Sequence, residues 1–183
     1  NLILSVGATP TSNSLKSSDW QASLVNFVKE ELIGKLEIHC GNYCLYDLQQ
    51  ICTGCIKDTE IAGFVLGSVV SSYKSRGELL TDTGVLSLSR ESSRIRGLGL
   101  CVELDSVLQD VAFDFKLYVD RVSQEHGLLK AYNPGSQPPN IKLGTKLAIL
   151  PQHACITMAQ FSFYFVVNRQ GIVTDVWTPF QRW

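Results

Sequence analysis

The sequence predicts an α+β protein in two parts: the end of a larger α/β barrel, followed by a carboxy-terminal β-barrel or β-sandwich domain. Within the first 60 residues, apolar strands alternate with helices and with glycine turns. From about residue 61, short β-rich segments separated by turn residues replace that pattern, and few helices lie between them. We therefore divide the chain into residues 1–60 and 61–183.

The first part reads as two strand-and-helix units, because each apolar run ends at turn residues and is followed by helical spacing. Gly7 and Pro10 break the first run, which is typical of a strand followed by a loop. Two such units are too few to close a sheet, so they predict the last units of a larger barrel. The predicted elements are a strand (Leu2–Val6), a helix that starts near Ser17 and ends at Gly34, a second strand (Leu36–His39) and a short helix (Tyr46–Ile51).

The second part contains short runs with strand composition. The last two flank Asn168–Gly171 and predict a hairpin with a four-residue loop. A loop at Tyr132–Asn140 holds three of the six prolines. The predicted strands are Gly63–Ser72, Glu78–Asp82, Val85–Leu88, Phe113–Val122, Lys146–Leu150, Phe161–Val167 and Ile172–Trp177.

Charge and hydropathy exclude two classes of partner. The chain has 16 basic and 17 acidic residues, so its net charge of -1 gives no basic field that would hold nucleic acid. No apolar run approaches the roughly 18 residues that a membrane span needs. The sequence starts without Met, in an apolar run, and we expect it to be a piece of a longer protein.

A candidate metal pair lies in Pro151-Gln-His153-Ala-Cys155. In an extended segment, residues i and i+2 face the same way, so both side chains could reach one ion. Zinc accepts imidazole nitrogen and thiolate sulfur, and two protein ligands leave positions open for water or substrate. The alternative is a hydrogen-bonded histidine beside a buried cysteine at a strand end, and the spacing alone favours that alternative.

Two glycine turns follow the strands of the first part. They are Ser5-Val-Gly7-Ala-Thr9-Pro10 and His39-Cys-Gly41-Asn42-Tyr43. Backbone N–H groups at such turns can hold an anion, and the turns after the last strands of an α/β barrel commonly bind phosphate. Two ordinary strand-to-helix turns explain either turn equally well.

Two further patterns are weaker. Cys52-Thr-Gly-Cys55 is a single CxxC without a second pair, and we interpret it as packing at a helix end. His126 and Glu125 precede Gly127, where a surface turn is the default and a role in ligand binding is the alternative.

Taken together, these segments resemble the eukaryotic-type D-serine dehydratases. The resemblance rests on motifs that occur in the same order over the whole chain and are far more specific jointly than singly. They are Ser5-Val-Gly-Ala-Thr-Pro-Thr11, Gly41-Asn-Tyr43 with Tyr46-Asp47, Arg76-Gly77 through Asp82-x-Gly84 to Leu88-Ser89, Ser123-Gln-Glu-His-Gly127, Leu150-Pro-x-His-Ala-Cys155 and Asp175-Val-Trp177.

The resemblance implies a fold like that of alanine racemase and D-threonine aldolase. In that fold an amino-terminal (β/α)8 barrel, whose end this chain would contain, binds pyridoxal 5'-phosphate, and a carboxy-terminal β domain binds the metal. It implies that Thr9, Gly41 and Asn42 bind the cofactor phosphate, that Gly7 permits the turn, and that His153 and Cys155 bind zinc. It also implies a cytoplasmic lyase that converts D-serine to pyruvate and ammonia, and a homodimer by analogy with the wider family.

The family's Schiff-base lysine lies near the start of the barrel, in a region that this chain does not contain. We therefore assign no catalytic residue here, and expect the chain to need the missing amino-terminal barrel portion for activity. D-threonine aldolase or D-3-hydroxyaspartate dehydratase on the same scaffold is the alternative enzyme, acting on a related D-3-hydroxy amino acid. A non-catalytic metal-binding β module is the alternative outside enzymes.

Overall fold

The computed structural model describes residues 2–109 and 112–180. Residues 1 and 181–183, at the ends of the two predicted parts, lie outside the described residues. The helices and strands, in chain order, are β1 (Ile3–Gly7), α1 (Thr9–Ser14), α2 (Ser18–Glu30), β2 (Lys35–His39), α3 (Leu48–Cys52), β3 (Val65–Tyr73), β4 (Glu78–Thr81), α4 (Val85–Leu88), β5 (Gly99–Glu103), α5 (Leu104–Val107), β6 (Leu117–Val122), β7 (Gly127–Ala131), β8 (Lys146–Pro151), α6 (Ala154–Met158), β9 (Tyr164–Val167) and β10 (Val173–Trp177).

The first part has the predicted strand, helix and strand. Strands β1 and β2 pair in parallel, and α2 begins after Ser17 as its capping position predicts. The loop expected after Pro10 is wrong, because Thr9–Ser14 forms helix α1. Proline suits the first turn of a helix, where its missing N–H would have no helical partner anyway.

The second part is a closed barrel with strand order β3-β4-β7-β6-β5-β8, and every neighbouring pair is antiparallel. Of the two predicted architectures, the barrel is therefore the one that forms. The strand predicted at Val85–Leu88 is wrong, because this segment is helix α4. Its single turn places Leu88, which is fully buried, in the core inside the barrel.

Residues of alternating strand positions form two apolar clusters. The cluster inside the barrel contains Val65, Val69, Leu79, Leu88, Cys101, Leu117, Val119, Leu129, Leu147 and Ile149. The second cluster lies on the outer face of β5, β6 and β8, and includes Leu100, Val102, Tyr118, Ala148 and Leu150. Leu48, Ile56 and Ile61 cover this outer face.

The segment from residue 42 to residue 61 is thus attached to the barrel. It contains α3 between two 3-10 turns, Asn42–Cys44 and Asp58–Glu60. The backbone N–H of Gln49 donates to the carbonyl oxygen of Gln152 at 3.2 Å, and that of Phe113 donates to Oδ2 of Asp58 at 3.0 Å. The division of the chain at residue 60 stays a prediction.

Strands β9 and β10 form the predicted hairpin outside the barrel. Every residue of β10 is exposed, and the rings of Phe163 and Phe165 pack edge to face beside it. Within the part of the chain that the structure describes, each helix is too short or too polar to span a membrane.

We predict that β1, β2 and α2 exchange amide hydrogens faster than the barrel strands. No residue of α2 is buried, and the strand residues Ile3 and Val6 are 56% and 36% exposed, so little burial opposes local opening. Residue-resolved hydrogen exchange on a dilute monomer measures this difference. Protection of residues 2–39 equal to that of β6 and β8 would contradict it.

Candidate cofactor and metal site

The predicted phosphate residues come together at the carboxyl ends of β1 and β2. Parallel pairing brings these ends to the same edge, with Gly7 opposite His39. Thr9 then follows β1, and Gly41 and Asn42 follow β2. The backbone N–H of Asn42 donates to Oγ1 of Thr9 at 3.0 Å, and both residues are buried.

Gly7 does not serve as the turn that the sequence suggested. It is the last residue of β1, and a Cβ at this position would overlap the Cβ of His39 and lie 2.6 Å from its carbonyl oxygen. Glycine is therefore required here because the two strand ends approach closely.

The buried carboxylate of Asp47 joins the two predicted sites. It accepts hydrogen bonds from the side-chain amide of Asn42, from the backbone N–H of Gln50 at 3.0 Å and from the backbone N–H of Ala154 at 2.8 Å. Asp47 is the N-cap of α3, so the bond to Gln50 is local. The bond to Ala154 spans 107 positions of the chain.

His153 and Cys155 are not neighbours on an extended strand, which corrects the geometric argument made from their spacing. His153 has extended backbone angles and is the N-cap of α6, whereas Cys155 lies in the first turn of that helix. The carbonyl of His153 accepts from the backbone N–H of Thr157 at 3.1 Å, which begins the helical bonding. The side chain of His153 makes no capping bond, and Asp47 takes the N–H of Ala154 instead.

Cys155 adjoins the glycine turn after β2. A Cβ built on Gly41 would lie 4.0 Å from Sγ of Cys155. Partial desolvation, and secondarily the charge of Asp47, raise the pKa of the Cys155 thiol. The candidate metal cysteine and the candidate phosphate turn therefore share one edge of the molecule.

The donor set in this chain is incomplete for a closed metal site. Among residues 2–109 and 112–180, no three histidine, cysteine, aspartate or glutamate side chains are grouped to hold a metal. Structural zinc normally takes four protein ligands, whereas catalytic zinc keeps a position for water or substrate. An imidazole and a thiol at the start of one helix have the donor chemistry of a site of the second kind, which further groups would have to complete.

The weaker candidates lie elsewhere. Glu125 and His126 are exposed in the turn between β6 and β7, where the carbonyl of His126 accepts from the N–H of Ser123 at 2.9 Å. Cys52 contacts Oγ of Ser93 at 3.2 Å, and neither it nor Cys55 is in a disulfide. These contacts agree with the turn and the packing interpretations.

Sequence reasoning missed two buried polar residues that lie beside the candidate site residues in the structure. Asp47 appeared only as part of a motif, and Gln152 was not singled out. The amide of Gln152, which is fully buried, donates to the carbonyl oxygens of Ile95 and Gly97 at 3.2 and 2.8 Å. A polar residue between the apolar end of β8 and His153 was the available signal.

The family model described as "Putative serine dehydratase domain" matches residues 62–167. The chain belongs to this family. The D-serine dehydratase of Saccharomyces cerevisiae is 60% identical over 182 residues, and the match covers 100% of this chain and 42% of the yeast protein. The region of similarity is the carboxy-terminal part of that relative. This chain of the serine dehydratase family thus spans less than half the length of the relatives it matches.

Solved structures show the same fold over nearly the whole chain. A D-threo-3-hydroxyaspartate dehydratase from Delftia sp. HT23 superposes with a TM-score of 0.75 at 27% identity, covering 99% of this chain and 45% of that one. Two mutants of an enzyme with this name replace a histidine and a cysteine two residues apart by alanine, and the cysteine mutant is described as metal-free. An alanine racemase-like protein from Idiomarina loihiensis superposes with a TM-score of 0.76 at 28% identity, and the match covers 99% of this chain and 44% of that one.

We predict that Gly41→Ala leaves stability within about 0.5 kcal/mol, as most changes free of steric conflict do. Its φ of -82° suits any residue, and its Cβ would meet only an ordinary contact with Cys155. Gly7→Ala should instead destabilise β1–β2 by about 1–3 kcal/mol through overpacking. Hydrogen exchange in residues 3–7 and 35–39 of both variants measures this. Equal loss of protection in both would refute the distinction.

Proposed function

We propose that this chain is the carboxy-terminal part of a D-serine dehydratase. In the whole protein it would act with pyridoxal phosphate and a divalent metal, most plainly zinc, to convert D-serine to pyruvate and ammonia. The observation that carries the proposal is the junction at Asp47, which ties the turn holding Gly41 and Asn42 to the start of the helix holding Cys155. Two candidate electrophile sites, one on each predicted part, would thereby lie close enough together to act on one substrate.

The metal assignment is supported by the spacing and by a structural relative. His153 and Cys155 have the same separation as the histidine and cysteine replaced in the two mutants of the hydroxyaspartate dehydratase. Imidazole and thiolate are ligands that zinc prefers. A metal there would act as a Lewis acid on the β-hydroxyl of the substrate, and so make a poor leaving group a better one.

For the cofactor phosphate, the contacts favour Thr9 and Gly41 over the side chain of Asn42. The Thr9 hydroxyl accepts one bond from the N–H of Asn42, and a hydroxyl that accepts can still donate its own proton. The Asn42 side-chain amide donates to Asp47. Its Oδ1 is a buried hydrogen-bond acceptor, and its partial negative charge would repel an anion. Asn42 would therefore hold the phosphate residues in place. Pyridoxal phosphate, when bound, supplies the electron sink for the carbanion formed at Cα.

The degree of similarity favours D-serine over the related D-3-hydroxy amino acids. Identity is 60% to the yeast D-serine dehydratase and 27% to the D-threo-3-hydroxyaspartate dehydratase, over similar lengths of this chain. A homodimer and a cytoplasmic location belong to the same proposal because the family resemblance implies them. The division into a barrel end and a metal domain near residue 60 does too.

The first test exchanges this chain for the matching region of the yeast relative. We expect the chimera to form pyruvate from D-serine, because the chain supplies the metal pair and the relative supplies the rest of the barrel. The isolated chain, given pyridoxal phosphate and zinc, should form none. Pyruvate and glycine are measured from D-serine and D-threonine. A soluble chimera without dehydratase activity, or pyruvate from the chain alone, would refute the respective claim.

The second test measures zinc in the chain and in Cys155→Ala. We expect zinc to be lost with the thiol, whereas Cys52→Ala, which changes a cysteine that contacts Ser93 instead, should keep it. Because the pKa of the Cys155 thiol is raised, the metal must displace a proton, so uptake should strengthen as pH rises and weaken in acid. Equal zinc content in Cys155→Ala and the unsubstituted chain would remove Cys155 from the site.

A further inference from the structure

Asp47 has an environment that capping one short helix does not explain. A helix N-cap needs one acceptor for one or two N–H groups of its own first turn. Asp47 makes that bond with Oδ1, to Gln50. Its second oxygen, Oδ2, receives two other donors, the side-chain amide of Asn42 and the backbone N–H of Ala154. The carboxylate is completely buried, so these donors replace water for a charged group.

The two partners of Oδ2 lie in different functional segments. Asn42 directly follows Gly41, and its own N–H donates to Oγ1 of Thr9. This residue therefore connects the two turns on the cofactor side of the site. Ala154 lies between His153 and Cys155, and its N–H is the first of helix α6. One oxygen atom therefore fixes the separation between the phosphate turn and the metal helix.

We propose that Asp47 is a positioning residue that sets the metal-binding geometry of His153 and Cys155 relative to the cofactor turn. It acts through the backbone of Ala154 and the side chain of Asn42, and touches neither metal nor substrate. The inference deepens the proposed function and rests on the metal assignment made there. Partners that orient metal ligands typically change metal affinity by about 10–100-fold when they are removed.

Asp47→Ser separates the two roles of this residue. Serine is a good N-cap, so we expect it to keep the bond to Gln50. Its side chain is shorter than that of aspartate and has only one oxygen, so it cannot also bind Ala154 and Asn42. Asp58→Ser is the matched control. Asp58 also accepts one local bond, from Thr59 at 2.9 Å, and one distant bond, from Phe113 at 3.0 Å, that attaches the same segment to the barrel.

The experiment titrates the chain with Co²⁺ alone and follows the thiolate-to-cobalt absorption band. We expect Asp47→Ser to bind about 10–100-fold more weakly with an altered band, while Asp58→Ser matches the unsubstituted chain. Hydrogen exchange in β6 and β7 checks that the barrel is intact. If Asp47→Ser fails to fold, Asp47→Asn is used, which keeps the volume and one acceptor, and we expect weaker binding there too.

The outcomes separate the two proposals. If the unsubstituted chain shows no thiolate band, the metal site itself fails, and the positioning role fails with it. If the unsubstituted chain binds and a folded Asp47 variant binds equally well with the same band, Asp47 does not position the site, while the metal assignment stands. Equal weakening in Asp58→Ser, or loss of the barrel in both Asp47 variants, would also overturn the positioning role in favour of a general structural one.

Discussion

The burial of strand β8 on both faces holds the barrel and residues 42–61 together. Leu147 and Ile149 point into the barrel, and Ala148 and Leu150 point outward to the segment that carries Leu48. A strand with two buried faces is a continuous apolar run, as Leu-Ala-Ile-Leu is here. Each large side chain contributes about 1.5–3 kcal/mol on burial. The barrel and residues 42–61 therefore share one strand, and neither can move away without exposing it.

The residues that follow β8 connect this well-packed strand to the candidate site. Gln152 follows directly, and its side-chain amide and backbone carbonyl together bind the loop at Ile95 and Gly97 and the N–H of Gln49. Buried polar groups need such partners, so the backbone has little freedom just before His153. On the other side of His153, Asp47 accepts a hydrogen bond from the backbone N–H of Ala154 and so holds that residue in place. The backbone of the candidate metal pair is thus held from both sides by residues that are fully buried.

The predictable elements were those with a local pattern. The hairpin was found from apolar runs around Asn168–Gly171, and α2 from its cap and spacing. Strand β5 was missed because its second face packs under residues 48–61, which removes the alternation that marks a half-buried strand. Strand β7 was missed because it starts at Gly127, where a Cβ would collide with the carbonyl oxygen of Thr83. Glycine is needed there because the backbone of Thr83 approaches closely, and this approach exists only in the folded barrel.

In the candidate site, too, the features with a local sequence pattern could be predicted and those that depend on distant residues could not. The glycine turns and the His-x-Cys spacing are local, and the resemblance to a family gave them roles. The bonds that join them, from Asn42 to Thr9 and from Ala154 to Asp47, span 33 and 107 positions and leave no local pattern. They also join parts of unequal burial, since Thr9 follows an exposed strand pair and Cys155 follows the rigid exit of β8. Because a ligand stabilises whatever conformation binds it, a phosphate held between Thr9 and Gly41 would stabilise mainly the weaker strand pair. In the proposed site, cofactor binding would therefore be coupled to the order of the first 40 residues, whereas the backbone that carries His153 and Cys155 is already held by Gln152 and Asp47.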